Sequence, residues 1–199
     1  SHYNPAFWAV PEDEMDLSKV EQIDKAMLRA KEYAHSQYMN AKNFMNSKGI
    51  DKPIHIGETG WASIAASSYG ATGSKAADEY KEKLYFELMR EWTKEEGMSC
   101  FYFEGFDERW KDSRDSLGSE NHFGLIKLNG QAKYALWDMV DNGVFDGLTR
   151  GGSAITKTYS GDEQELLNTI YAPPMNASGG NGSTTDVNDS RNAGELVTE

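Results

Sequence analysis

Apolar residues recur three or four positions apart through residues 16–47, at Leu17, Val20, Ile23, Met27, Ala30, Ala34, Tyr38, Ala41 and Met45. That spacing marks one face of a helix, and the charged residues between them give it a polar opposite face. Ser18-Lys19-Val20-Glu21 fits a capping box at its start, with Asp16 as a competing N-cap, and Gly49 suits its end. The same spacing at Ala77, Tyr80, Leu84, Leu88 and Trp92 predicts a second helix over 75–96, closed by Gly97. A third is predicted from Gln131 to Asp141, with Tyr134, Trp137 and Val140 inward. Two runs between the helices have strand character: Pro53–Glu58, and Met98–Phe106, which is apolar or aromatic almost throughout, as a parallel strand buried on both faces is. Phe123–Leu128 is a shorter extended segment before the Asn129-Gly130 turn, and Glu163–Ile170 a short helix or strand. Helix and strand alternate, which predicts an α/β fold: the tail end of a barrel or of a doubly wound sheet.

The strands end in carboxylates. Ile54, Ile56 and Glu58 share one parity, so the isoleucines point into a core and the acid lies on the same row. Gly60 breaks the run and Trp61 follows. On the second strand Tyr102, Glu104, Phe106 and Glu108 share parity, with Arg109 and Lys111 available as partners. If that row faces inward, its acids lie at the same end as Glu58. In parallel barrels the chemistry sits at the strand ends. Glycosidic hydrolysis normally uses two carboxyl groups, and aromatic faces stack on sugar rings. A single acid at a strand end is, taken alone, more often a solvated rim residue or a salt-bridge partner.

Charge narrows the partners. The net charge is −12, which disfavours nucleic acid and leaves neutral polymers such as glucans compatible. Aromatics make up 12 % of the chain, enough for a packed core with some left for a sugar-binding surface. The only cysteine, Cys100, lies in an apolar run and reads as a structural thiol. The four histidines have no metal-ligand spacing, so neither a metal nor a cofactor is expected. No apolar stretch approaches the length of a membrane span, and no membrane partner is expected.

The ends differ from the middle. Residues 1–15 are rich in aromatic residues and proline, like a loop entering from an upstream segment. From Asn176 onward Gly, Ser, Asn, Asp and Thr dominate, as in a flexible linker or disordered tail. Asn-x-Ser sequons occur at Asn176, Asn181 and Asn188. The expected organisation is a main unit over 1–150, a peripheral extension over 151–175 and a tail over 176–199.

Three motifs in order carry a family resemblance. Glu58-Thr59-Gly60-Trp61, then Phe106-Asp107-Glu108-x-x-Lys111, then Ser119-Glu120-Asn121-His122-Phe123-Gly124-Leu125 resemble segments of glycoside hydrolase family 17, the β-1,3-glucanases or laminarinases. The resemblance covers about residues 3–145 and is nearer the bacterial branch than the plant one. It implies a (β/α)8 barrel, of which this chain would hold about strands seven and eight with helices six to eight. A typical whole barrel needs about 250 residues.

The resemblance further implies retaining hydrolysis of β-1,3-glucan polysaccharide or oligosaccharide, with Glu58 as nucleophile. Glu108, Lys111 and Glu120 match positions of the network around it, and Glu104 and Tyr102 lie close to them in sequence. A purely structural ion-pair network is the competing role. Trp61, Phe106, Trp110 and Phe123 are candidates for sugar stacking, each with core packing as its alternative. The family's general acid is a Glu at the end of strand four, which would lie upstream of Ser1, so the chain is expected to hold only the nucleophile's half of the site. A secreted, cell-surface or periplasmic protein, monomeric when complete, is implied too. Transglycosylation and non-catalytic glucan binding stay open as alternatives.

Overall fold

The computed structural model describes residues 9–65 and 75–175. The expectations for the N-terminal aromatic residues Tyr3, Phe7 and Trp8, for Tyr69 and for the tail lie outside these residues.

The first helix, α1 (Lys19–Ser47), begins as its sequence predicts. The Ser18 hydroxyl accepts from Glu21 N at 3.3 Å, and Ser18 N donates to the Glu21 carboxylate at 2.9 Å. Its buried face is Ile23, Ala26, Met27 and Ala30, all in the first half; Ala34 and Tyr38 are half-buried and Ala41 is exposed. The predicted stripe is therefore a core face over only part of its length.

The strand β1 (Ile56–Thr59) pairs in parallel with β2 (Cys100–Tyr102) through Ile56–Cys100 and Thr59–Tyr102, with an irregularity between. The helix α2 (Glu79–Glu95), capped by Asp78, connects them. Its buried residues include Tyr85, Phe86, Met89 and Trp92, but also Glu79, Lys81 and Glu82. The predicted stripe positions Tyr80, Leu84 and Leu88 are only half-buried, because α2 turns paired charges inward beside its apolar groups.

The second strand departs from its prediction. It is short, and it is not buried on both faces: Phe101 is 67 % exposed and Cys100 half-buried. β1 is its sole strand partner among the described residues, so one edge and part of one face lack cover. Ile54 and Ile56 are likewise half-buried: both line an open pocket, and Ile56 also packs against the main core as expected.

Residues 131–141 are not one helix. β3 (Gln131–Ala132) comes first, then a 3-10 turn (Tyr134–Leu136), and only Trp137–Asp141 is α-helical, as α3. Beyond lie β4 (Thr149–Arg150), β5 (Ser153–Ala154), β6 (Thr156–Lys157) and α4 (Glu163–Thr169). β3 pairs in parallel with β6, and β4 with β5 antiparallel. The stretch expected to be peripheral enters the main core: Leu166 is fully buried and Ile170 nearly so, against α1 and α2 residues, Trp61 and Trp137. The Trp137 indole N–H donates to Thr158 Oγ1 at 3.1 Å, and Val10 N reaches Pro174 O at 3.0 Å, joining the two ends of the described chain.

The described residues therefore contain two separate parallel strand pairs, β1 with β2, flanked by α1 and α2, and β3 with β6, and no closed barrel. None of their helices is long and apolar enough to cross a membrane.

Candidate functional site

Two glycines bring the three motifs together. A Cβ on Gly60 would stand 1.9 Å from the Phe103 carbonyl oxygen, and one on Gly124 would stand 1.9 Å from Asp107 N. Only a residue without a side chain lets these backbones approach so closely. Phe103 N donates to Thr59 O at 2.7 Å, and the Thr59 hydroxyl meets the Tyr85 hydroxyl at 2.8 Å in a buried place. The end of β1 is thus fixed while its neighbour Glu58 remains exposed. Glu58 opens onto a pocket of about 400 Å³ shared with Ile56, Tyr38, Phe103, Glu120 and Phe123.

Beside this pocket lies a charged group centred on Lys111. Its ammonium is 2.9 Å from a Glu108 carboxylate oxygen and 3.3 Å from one of Glu104. It also stands 3.8 Å above the Phe103 ring centre, and Phe103 meets Phe123 edge-on at 5.5 Å. Burial raises the Glu104 carboxyl above its ordinary value, against the pull of Lys111. The Lys111 hydrogen bond holds Glu108 below its ordinary value. For Lys111 burial opposes the charge, but its two carboxylates outweigh it and raise the ammonium.

The predicted residues separate into those that gather and those that do not. Glu58, Glu120 and Phe123 line one pocket, and Glu104, Glu108 and Lys111 form one ionic group. Tyr102 stands apart: its ring packs edge-on against Phe86 of α2 at 4.9 Å, and since β2 ends at Tyr102 the strand parity that linked it to Glu104, Phe106 and Glu108 does not hold. Trp61 is a core residue, 0 % exposed, with its indole N–H donating to Ala76 O at 2.9 Å and its ring against Tyr85. That removes it from the sugar-stacking candidates. Phe106 is 41 % exposed and carries the Arg150 guanidinium 4.3 Å above its ring. Trp110 is 70 % exposed.

Sequence reasoning missed Phe103, which lines the pocket and supports Lys111; the available signal was its place in an aromatic run directly before Glu104. It also missed a buried cluster behind the site. Lys133, fully buried, donates to Asp107 at 2.8 Å, to Glu82 at 3.3 Å and to the His122 carbonyl at 3.0 Å. Asp107 also accepts from Gly124 N at 3.0 Å. Burial drives Glu82 well above the ordinary carboxylate value, against the pull of Lys133. Among the described residues no group of histidine, cysteine and acidic side chains is placed to hold a metal ion.

Similarity to known proteins follows the same residues. Over 92 % of its length the chain superposes on an endo-laminarinase from Formosa, with a TM-score of 0.85 and 56 % identity, matching 46 % of that protein. A glucan 1,3-beta-glucosidase of Arthroderma benhamiae is 34 % identical over 94 residues, covering 44 % of this chain and 29 % of that one. A second, from Schizosaccharomyces pombe, is 37 % identical over 83 residues, covering 41 % and 23 %. The chain thus spans less than half the length of each. Residues 34–137, from within α1 to the start of α3, match Glycosyl hydrolases family 17. That stretch is more than half of the 199 residues and holds all three motifs, and the chain belongs to this family.

Proposed function

We propose that the chain supplies the nucleophile's side of a retaining β-1,3-glucan hydrolase. The observation that carries this reading is the position of Glu58, at the end of a parallel strand and open to one pocket with Glu120, Phe103 and Phe123. A strand-end carboxylate beside aromatic faces is the arrangement glycoside hydrolysis uses. A 56 % identical endo-laminarinase supports the substrate class.

In this reading the Glu58 carboxylate attacks the anomeric carbon and forms a glycosyl ester. The glycosidic C–O bond breaks, its electron pair goes to the leaving oxygen, and a second carboxyl group protonates that oxygen. The same group then takes a proton from water, which attacks the anomeric carbon and releases Glu58 as carboxylate. Retention needs the two carboxyls about 5–5.5 Å apart. We infer that this chain does not hold the second one, and that residues 1–150 give strands seven and eight of a barrel whose other strands carry it. Residues 151–175 then extend that unit and 176–199 form a linker or tail. Glu108, Lys111, Glu104 and Glu120 hold the charge around Glu58 and bind sugar hydroxyls; Trp110 meets a sugar face, while Phe123, only 7 % exposed, forms part of the pocket wall. The complete protein acts outside the cell or at its surface, as a monomer.

A dinitrophenyl β-glycoside of laminaribiose tests the reading, since dinitrophenolate leaves with little protonation. Mixed with the chain, it is expected to release dinitrophenol in a burst, and the Glu58→Gln variant is expected to release none. Equal release from both, or none from either the chain or a version extended upstream, overturns the assignment.

A further inference from the structure

Three segments meet at the backbone of His122. Its carbonyl accepts from Ser63 N at 3.0 Å and Ser63 Oγ at 3.1 Å, just beyond Glu58 in the chain, and from Lys133 Nζ at 3.0 Å. Its ring reaches a fourth. Nε2 lies 2.8 Å from the Ser116 carbonyl oxygen, and a carbonyl only accepts, so Nε2 carries a hydrogen. Nδ1 is then the nitrogen that titrates. It is shielded from solvent and faces Asp107 Oδ2 at 3.8 Å, an ion-pair distance without a formed hydrogen bond. In the neutral ring a lone pair opposes a carboxylate oxygen; in the imidazolium an N–H points at it. Only the charged ring is held at both ends.

Between those ends, from Asp107 to Ser116, lie Glu108 and Lys111. Glu120 and Asn121 come immediately before the ring. Glu108 N donates to Asn121 O at 3.2 Å, and the buried Asn121 amide binds Asp112 N at 3.0 Å, Asp112 O at 3.0 Å and Asp115 O at 3.1 Å. The loop is stitched internally, so whatever anchors it moves its acids together.

We propose that His122 is a positioning residue for the Glu58 pocket: its imidazolium, clamped between Asp107 and the Ser116 carbonyl, sets the loop bearing Glu108, Lys111 and Glu120 in register with the end of β1. The clamp stands on geometry alone, while its meaning for catalysis rests on the function proposed above. The charged groups around the ring are few. Asp107, following β2, and Lys133, following β3, lie nearest, with Glu82 of α2 behind Lys133. Glu108, Arg109, Asp112, Arg114 and Lys127 border the open groove beside the ring. Asp107 raises the imidazole above its ordinary value of 6.5 and Lys133 works against it, so the balance favours the charged ring.

Proton NMR titration of the histidine rings, amide hydrogen exchange across residues 107–122 and dinitrophenol release, each followed against pH, test the proposal on the full chain. The His122→Gln variant keeps an amide donor for Ser116 O but cannot titrate. In the wild type, protection of amides 112–121 is expected to rise about fivefold as pH falls through the His122 midpoint, the worth of one hydrogen bond to a mobile segment. Dinitrophenol release is expected to fall as pH rises through that same midpoint. The Gln variant is expected to hold the wild type's high-pH protection and high-pH rate throughout. A wild-type protection profile flat across the midpoint, or a variant that reproduces the wild-type profiles, overturns the proposal. The two readings fail separately: absent dinitrophenol release with pH-linked protection intact removes the catalytic reading, and a flat protection profile removes the clamp whatever is released.

Discussion

The Lys111 ammonium stands 3.8 Å above the centre of the Phe103 ring, on the side of the pocket that Glu58 opens onto. Phe103 fixes the height of the charge, and Glu104 and Glu108 fix its sideways position. Lys111→Met keeps much of the apolar contact but removes the charge both acids share. It is expected to cost about 1 kcal/mol in urea unfolding, the sum of a modest cation–π contact and a partly exposed ion pair. Lys111→Arg is expected to lose less. A Met variant as stable as the wild type contradicts the picture.

The cluster behind the site carries larger stakes. Lys133→Met leaves Glu82 and Asp107 without their shared cation in a buried place, and a loss of about 3–5 kcal/mol is expected. Adding Glu82→Met to that variant is expected to recover part of the loss, because one stranded acid is then gone. Denaturant midpoints of the single and double variants check this. A purely additive double variant argues against the coupling.

Trp61 and Trp110 separate packing from sugar binding. Trp61→Ala empties a fully buried site and is expected to cost about 3–5 kcal/mol. Trp110→Ala is expected to change stability by less than about 0.5 kcal/mol, because its ring is mostly in water. It is expected to weaken laminari-oligosaccharide binding by about 1 kcal/mol, roughly fivefold in Kd. Calorimetric titration of both variants reads the contrast, and unchanged affinity in Trp110→Ala removes that residue from the sugar surface.

These two tryptophans also show how far the sequence could be read. Local signals were legible: the Ser18 box, the three-and-four spacing of α1, and the break at Gly97 all depend on neighbours in the chain. Long-range ones were not. Both tryptophans sit beside acidic motifs, and nothing local tells the buried one from the exposed one. Parity along Tyr102, Glu104, Phe106 and Glu108 failed because the strand ends at Tyr102. Gln131 and Ala132 resembled a helix start because their strand partner, Thr156–Lys157, is remote in sequence. Glu82 and Lys133 were hidden for a different reason. Charged residues read as surface until the fold pairs them, and these two are 51 positions apart.

The His122 clamp has a stability consequence with a definite sign. Asp107 raises the imidazole's pKa in the folded chain above its unfolded value near 6.5. Its stabilising contribution is therefore complete below that unfolded value, and is lost as pH rises through the raised folded value. His122→Gln lacks this dependence, so the stability difference between wild type and variant is expected to be largest under acidic conditions and to shrink toward alkaline pH. Urea midpoints of both chains across pH 5 to 9 check it, an interval of about two units either side of neutrality. A difference that grows with pH reverses the sign and contradicts the assignment.

In the proposed reaction Glu58 forms the bond to sugar. A dinitrophenyl laminaribioside with fluorine in place of the 2-hydroxyl next to the anomeric carbon slows breakdown of a glycosyl ester more than loss of its activated leaving group. Incubation with the chain, digestion and peptide mass spectrometry then locate any adduct. One fluoroglycosyl group is expected on the peptide containing Glu58, absent from Glu58→Gln. An adduct on Glu104, Glu108 or Glu120 instead, or one that persists in the Gln variant, contradicts it.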